Sequence, residues 1–226
     1  EKFLDYNKQE HPIAIQFGGD NPRLLSEAAQ FAEEWGYDEI NLNLGCPSPR
    51  VSSGNFGVCL MNSPEIVIKC IESIKNSCKL PITIKHRIGV DDNDSFKNLN
   101  EFVRSIAEAG VERFSVHARK AILKGLNPKE NRTIPPLRYD IVEKLKQENP
   151  YLKIEINGGF SNIDDCKNAI KIFDGVMIGR SAYKHPLRWS RIDEVFYGVN
   201  PSEKKASSII FQLIPYIENH LRNGGE

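Results

Sequence analysis

Ile82-Thr83-Ile84-Lys85-His86-Arg87-Ile88 alternates aliphatic and polar side chains, and His86 alone interrupts the pattern. Successive side chains of a strand point to opposite faces. Ile82, Ile84 and Ile88 therefore take one face and Thr83, Lys85 and Arg87 the other, with His86 placed toward the aliphatic side. The same period recurs in Ile13 to Phe17, Ile40 to Leu44, Phe114 to His117 and Ile154 to Asn157. In each the aliphatic set opposes a polar residue near the carboxyl end: Gln16, Asn43, Lys85, His117 and Asn157. If the aliphatic faces pack under helices, these five polar groups converge at one mouth. Buried polar atoms cost free energy unless paired, so a packed core rarely gathers such a set.

A sixth strand is read at Val176 to Gly179, and amphipathic stretches separate the strands: Pro22 to Trp35, Pro64 to Ser77, Ser95 to Ala109 and Tyr139 to Glu148. Strand–helix alternation implies parallel strands joined by crossover helices. Gly36, Gly110 and Gly175 are expected to stop helices in the left-handed conformation. The fold class expected is α/β, a TIM (β/α)8 barrel with its site at the carboxyl ends of the strands. Six strands fall short of the eight that close such a barrel, which predicts two further strand–helix units before Glu1. Ser207 to Asn223 reads as an amphipathic helix interrupted by Pro215. The expected organisation is a catalytic barrel over residues 1–200 and the start of a helical domain over 201–226, a fragment cut at both ends.

Thirty Lys and Arg balance thirty Asp and Glu, so a polyanionic partner must be argued from local charge. No apolar run reaches the roughly 18 residues of a membrane span, and no signal peptide opens the chain. Five cysteines without C-x-x-C spacing, an odd number, suggest free thiols in a reducing compartment. No metal site is legible. The expected compartment is the cytoplasm, with an organelle left open, and nothing demands more than a monomer.

Two glycine-bearing strand ends, Asn157-Gly158-Gly159 and Gly179-Arg180, follow the last two strands. Loops there commonly bind phosphate through backbone N–H groups, and an arginine adds a forked pair of donors. Lys85 and His117 would lie over the rest of such a cofactor. A flavin fits, since its reduced ring carries negative charge that a lysine stabilises. The alternative makes Lys85 the partner of Glu155 or another carboxylate. Cys46 differs from Cys59, Cys70, Cys78 and Cys166 because it sits at a strand's carboxyl end, between Asn43 and the stiffening Pro47 and Pro49. The adjoining loop Val51 to Gly57 is expected to be mobile. From Ala118 to Asp140, Arg119, Lys120, Lys124, Lys129, Arg132 and Arg138 face only Glu130 and Asp140. A basic lip of that kind suits a phosphate backbone.

Several of these segments resemble the core motifs of the tRNA-dihydrouridine synthases: Ile40-Asn41-Leu42-Asn43-Leu44-Gly45-Cys46-Pro47-Ser48, Ile84-Lys85-His86-Arg87-Ile88-Gly89, Glu155-Ile156-Asn157-Gly158-Gly159 and Gly175-Val176-Met177-Ile178-Gly179-Arg180. The stretch from His117-Ala118-Arg119-Lys120 to Tyr139-Asp140 is similar to the bacterial A-type subgroup in particular. The resemblance implies an FMN-dependent barrel followed by a helical tRNA-binding domain. It assigns FMN contacts to Gln16, Lys85, His117, Asn157, Gly158, Gly159, Gly179 and Arg180. It makes Cys46 the general acid and places Asn43, Lys129 and Arg132 near the tRNA. It also implies NADPH as electron donor and uridines of the D-loop as targets, with hydride passing from flavin N5 to uracil C6 and a proton from a neutral Cys46 thiol to C5. A target base must leave its stack to be reached. Two other readings compete. A different FMN barrel, such as a dihydroorotate or enoate reductase, shares the lysine and phosphate logic but not the basic run. A non-catalytic RNA-binding protein would bind tRNA without taking up flavin.

Overall fold

The computed structural model describes residues 3–49, 54, 56–200 and 205–224. It contains six parallel strands: β1 (Ala14–Phe17), β2 (Glu39–Leu44), β3 (Ile82–Arg87), β4 (Arg113–His117), β5 (Lys153–Asn157) and β6 (Gly175–Met177). Each pairs with the next in sequence, in the order β1-β2-β3-β4-β5-β6. A doubly wound sheet reverses its order at a switch point; this one never does, and the architecture is that of a TIM-type α/β barrel. Each strand expected from the period of two is present, with ends moved by one or two residues.

The helices between the strands are α1 (Pro22–Glu34), α2 (Pro64–Ser77), α3 (Phe96–Glu108), α4 (Tyr139–Glu148) and α5 (Ile163–Ala169). Their starts follow from capping chemistry. The Asn21 side chain accepts the Leu24 N–H and Pro22 opens α1, while the Ser95 hydroxyl accepts the Asn98 N–H to start α3. Gly36 (φ 81°) and Gly110 (φ 101°) end α1 and α3 in the left-handed region. Gly175 does not share that role. It is the first residue of β6, lies opposite Glu155, and a Cβ there would stand 3.0 Å from Glu155 Cγ. Glycine is needed at that position for room, not for a turn.

The aliphatic faces pack as the alternation predicts. Ile40, Ile84, Phe114, Val116, Ile154 and Ile156 are fully buried with Ala29, Ile71, Ile74, Val103, Ile106 and Leu145 of the helices. His86 lies on that side too, wholly buried, its ring edge-on to Phe102 and Phe114. Burial lowers its pKa to about 4, so the imidazole is neutral. Its Nδ1 meets the Arg87 carbonyl at 2.7 Å, and Nε2 has no partner among the described residues.

The chain divides into two compact units. The first, residues 1–160 and 166–178, holds the sheet; the second comprises residues 161–165 and 179–226. In the second unit, α6 (Arg180–Lys184), α7 (Ile192–Tyr197) and α8 (Ala206–Arg222) are helical. Contrary to expectation, α8 runs unbroken through Pro215. A proline removes one intrahelical donor and crowds the carbonyl four residues earlier, but a 17-residue helix can absorb the local loss. Ile210, Phe211, Leu213, Ile214 and Ile217 of α8 are exposed. Among the described residues no helix is long and apolar enough to cross a membrane.

Candidate functional site

The polar faces of the strands meet in register. Asn43 lies opposite Lys85 and Lys85 opposite Ser115, while one step further along Arg87 lies opposite His117 and His117 opposite Asn157. Gln16 pairs in register with Asn41, one level below Asn43, and reaches upward by its side chain. Thus the five polar groups do not form one ring. They climb a staggered staircase across β1 to β5.

At the first step Asn43 uses its whole amide. Oδ1 accepts the N–H groups of Gly45 at 3.0 Å and Cys46 at 3.1 Å, and Nδ2 donates to Gln16 Oε1 at 2.9 Å. The strand's exit is therefore folded back on its own last polar residue, and Cys46, half-buried, is held at a defined place. Its carbonyl accepts the Val58 N–H at 3.1 Å. Residues 51–53 and 55 of the loop expected to be mobile lie outside the described residues.

Lys85 carries no hydrogen bond or ion pair among the described residues. Burial first, then the charge of Arg87, lowers its pKa to about 8, while Cys46 acts in the opposite sense. The alternative partner, Glu155, is taken: it pairs with Arg113 at 3.3 Å and accepts the Ser115 hydroxyl. Arg113 also pairs with Glu39, which accepts from Thr83, which in turn accepts from Asn41 at 2.8 Å. This polar network fills the barrel interior below the site and flanks a cavity of about 520 Å³ lined by Gln16, Asn41, Arg113 and Glu155. Sequence reasoning missed it, although Asn41, Thr83, Arg113 and Ser115 all fall on the polar face by parity alone. Lys85, a half-buried ammonium with no counterion among the described residues, suits a ligand that brings negative charge, which is what the chemistry of a reduced flavin provides.

His117 is buried, and the following turn is built against it. Gly158 (φ 115°) and Gly159 (φ 84°) both occupy the left-handed region. A Cβ on Gly158 would stand 2.8 Å from His117 Cδ2 and from Leu137 Cδ2, and one on Gly159 would stand 2.7 Å from the Tyr139 hydroxyl. The Tyr139 hydroxyl donates to the Gly158 carbonyl at 2.5 Å, and Asn157 Nδ2 donates to the Met177 carbonyl at 2.7 Å. Gly179 and Arg180 belong to the second unit, where Gly179 caps α6, Arg180 is exposed, and a Cβ on Gly179 would meet nothing.

The basic loop is less charged in effect than in sequence. Lys120 pairs with Asp94 at 2.7 Å, Arg138 pairs with Asp140 at 2.7 Å, and Arg119 donates to the carbonyls of Thr133 and Pro135. Lys124, Lys129 and Arg132 remain exposed, Lys129 preceding and Arg132 ending a short 3-10 turn, Glu130–Arg132. The loop is knitted by Asn131, fully buried, whose amide exchanges hydrogen bonds with Ile122 and donates to the Leu126 carbonyl. Among the described residues no cluster of metal-ligating side chains occurs.

The model of the dihydrouridine synthase (Dus) family matches residues 1–225. The chain belongs to that family. Bacterial members are close in sequence throughout. The tRNA-dihydrouridine(20/20a) synthase of Synechocystis sp. is 48% identical over 224 residues, covering 99% of this chain and 67% of the relative. The enzyme of the same name from Vibrio cholerae is 48% identical over 223 residues, covering 98% of this chain and 68% of its own length. That of Pseudomonas putida is 46% identical over 224 residues, covering 99% and 67%. The protein is thus an enzyme of the tRNA-dihydrouridine synthase type, in the bacterial A-type subgroup, and it spans about two-thirds of the length of these relatives. Among solved structures, histamine dehydrogenase from Rhizobium sp. 4-9 superposes with a TM-score of 0.57 at 16% identity, covering 76% of this chain and 27% of that one. A 2-naphthoyl-CoA reductase gives 0.56 at 12%, covering 75% and 28%. At such identities the likeness is one of fold.

Proposed function

We propose that this dihydrouridine synthase reduces uridine to 5,6-dihydrouridine in the D-loop of tRNA, with FMN as cofactor, NADPH as electron donor and Cys46 as proton donor. The observation that carries the reading is the junction of β2 and β3: a cysteine pinned by Asn43 beside a half-buried Lys85 that has no partner among the described residues. FMN, when bound, supplies the hydride that uracil C6 receives. Lys85 offers its ammonium to the negative charge of the reduced ring. Gln16, His117 and Asn157 line the same staircase, and the Gly158–Gly159 turn beside them offers backbone N–H donors for a phosphate. Gly179 and Arg180 are proposed as cofactor contacts on the strength of the family motif alone. Cys46, half-buried, donates its thiol proton to C5. Lys129 and Arg132 bind the tRNA backbone by charge. A monomer suffices for this arrangement, and the compartment proposed is the cytoplasm, with an organelle as the alternative.

The test is mass spectrometry of unmodified tRNA after incubation with the full-length protein, FMN and NADPH, alongside Cys46→Ala. The expected result is dihydrouridine in the D-loop with the parent enzyme. The variant is expected to bind flavin and oxidise NADPH but to form little product. Full turnover by Cys46→Ala would remove the proton-donor role. Flavin uptake and NADPH oxidation without any dihydrouridine would move the substrate to a small molecule.

A further inference from the structure

Arg87 follows Lys85 on the polar face of β3, yet its side chain points to no carboxylate among the described residues. It is 3% exposed, and its donors go to three backbone carbonyls on two different loops. Nε donates to Gly45 at 2.8 Å, in the turn that carries Cys46. Nη1 donates to Asn131 at 3.0 Å and to Lys120 at 3.2 Å, in the loop that presents Lys129 and Arg132. Each loop is also held by a device of its own: Asn43 folds the Cys46 turn, and Asn131 folds the basic loop. Arg87 bridges the basic loop from Lys120 to Asn131 and ties that bridge to the Cys46 turn through Gly45. No device of either loop's own sets the position of one against the other; among the described hydrogen bonds of those devices, that link is made by Arg87. The planar guanidinium suits that task because its donors leave in fixed directions, which the single ammonium of a lysine cannot reproduce.

We propose that Arg87 is a positioning residue that fixes the spacing between Cys46 and the basic loop, so that a uridine delivered by the loop arrives opposite the thiol. This rests on the reading of Cys46 as proton donor and of the loop as a tRNA contact. Proton transfer demands close alignment of donor and acceptor, and small displacements from remote changes are costly.

The test compares the full-length holoenzyme with Arg87→Lys, which keeps the charge and loses the fork. Three quantities are measured: dihydrouridine formation at saturating tRNA, tRNA affinity, and NADPH oxidation with oxygen as acceptor. Turnover on tRNA is expected to fall by roughly 100-fold, with the tRNA Kd and the oxygen-linked rate nearly unchanged. Wild-type turnover in Arg87→Lys would overturn the proposal, as would a loss of tRNA affinity that accounts for the loss of turnover. Should that variant fail to fold, amide hydrogen exchange in Asn131→Ser decides. Loosening the basic loop is expected to speed exchange at the Gly45 and Cys46 N–H groups, and unchanged exchange there would overturn the coupling. A parent enzyme that forms no dihydrouridine would remove the underlying reading, whereas an active parent with an equally active Arg87→Lys removes the role of Arg87 alone.

Discussion

Lys85→Met is expected to make the flavin-free protein more stable while removing its capacity to hold the cofactor. Burial and the neighbouring Arg87 lower the Lys85 pKa from 10.5 to about 8, which corresponds to roughly 3 kcal/mol spent on keeping the ammonium charged in the fold. The sign follows from linkage. Below about pH 8 the lysine is charged in both folded and unfolded chains, and the full penalty applies. As the pH rises from about 8 toward 10.5, the folded protein releases its proton first, the unfolded chain binds more protons, and the penalty fades. Methionine has nearly the same length and carries no charge, so it removes the penalty with little change in packing. Urea unfolding of the flavin-free parent protein and of Lys85→Met at pH 7 and at pH 9.5 measures the difference. The variant should be more stable by about 2–3 kcal/mol at neutral pH, with the gap narrowing markedly at the higher pH. With FMN in excess the order should reverse, because only the lysine gains from the ligand. A variant less stable than the parent at pH 7, or a gap that ignores pH, would refute the idea that Lys85 is an uncompensated charge.

His86 predicts an acid limb of the opposite kind. Its folded pKa of about 4 lies below the ordinary 6.5, so stability is complete above pH 6.5 and declines as the pH falls through the interval, by up to about 3 kcal/mol. His86→Phe should flatten that limb in urea unfolding at pH 7 and pH 4.5, and equal acid losses in both proteins would show that other groups govern it. Gly158→Ala combines a φ of 115° with a Cβ 2.8 Å from His117 and Leu137, and should cost about 2–3 kcal/mol. A flavin titration should show weakened affinity as well; unchanged affinity with a lowered melting point would mean that the turn serves packing rather than the cofactor.

The strands were legible because the period of two needs no partner to be seen: Ile40, Leu42 and Leu44 announce a buried face, and Asn41 and Asn43 the other. Parity also placed Gln16, Lys85, His117 and Asn157 on one side, though not their vertical stagger, which depends on how each strand slides against the next. Gly175 was misread because a helix end and a close approach both call for glycine, and only the position of Glu155 distinguishes them. The charge count of the basic loop stands, but the pairing of Lys120 was hidden because Asp94 is remote in sequence, and the carbonyls that hold Arg119 in place leave no trace in it. Arg87 stood on the right face in plain view. Its partners are backbone oxygens, which every residue possesses, so no pattern of side chains could point to them.

The consecutive order of the strands also governs how the protein can come into being. Ile15 waits only for Ile40, Ile40 for Ile82, Ile84 for Phe114, Phe114 for Ile154, and Ile156 for Val176. Among the described strands none waits for a distant segment before it gains its first neighbour. On a ribosome adding about 5–20 residues per second, each newly emerged strand finds its neighbour already laid down, and the growing edge of the sheet is renewed every few seconds. On the growing side, the sticky edge that invites association between chains is thus handed from strand to strand during synthesis, while among the described strands the outer edge of β1 stays as it was first laid down.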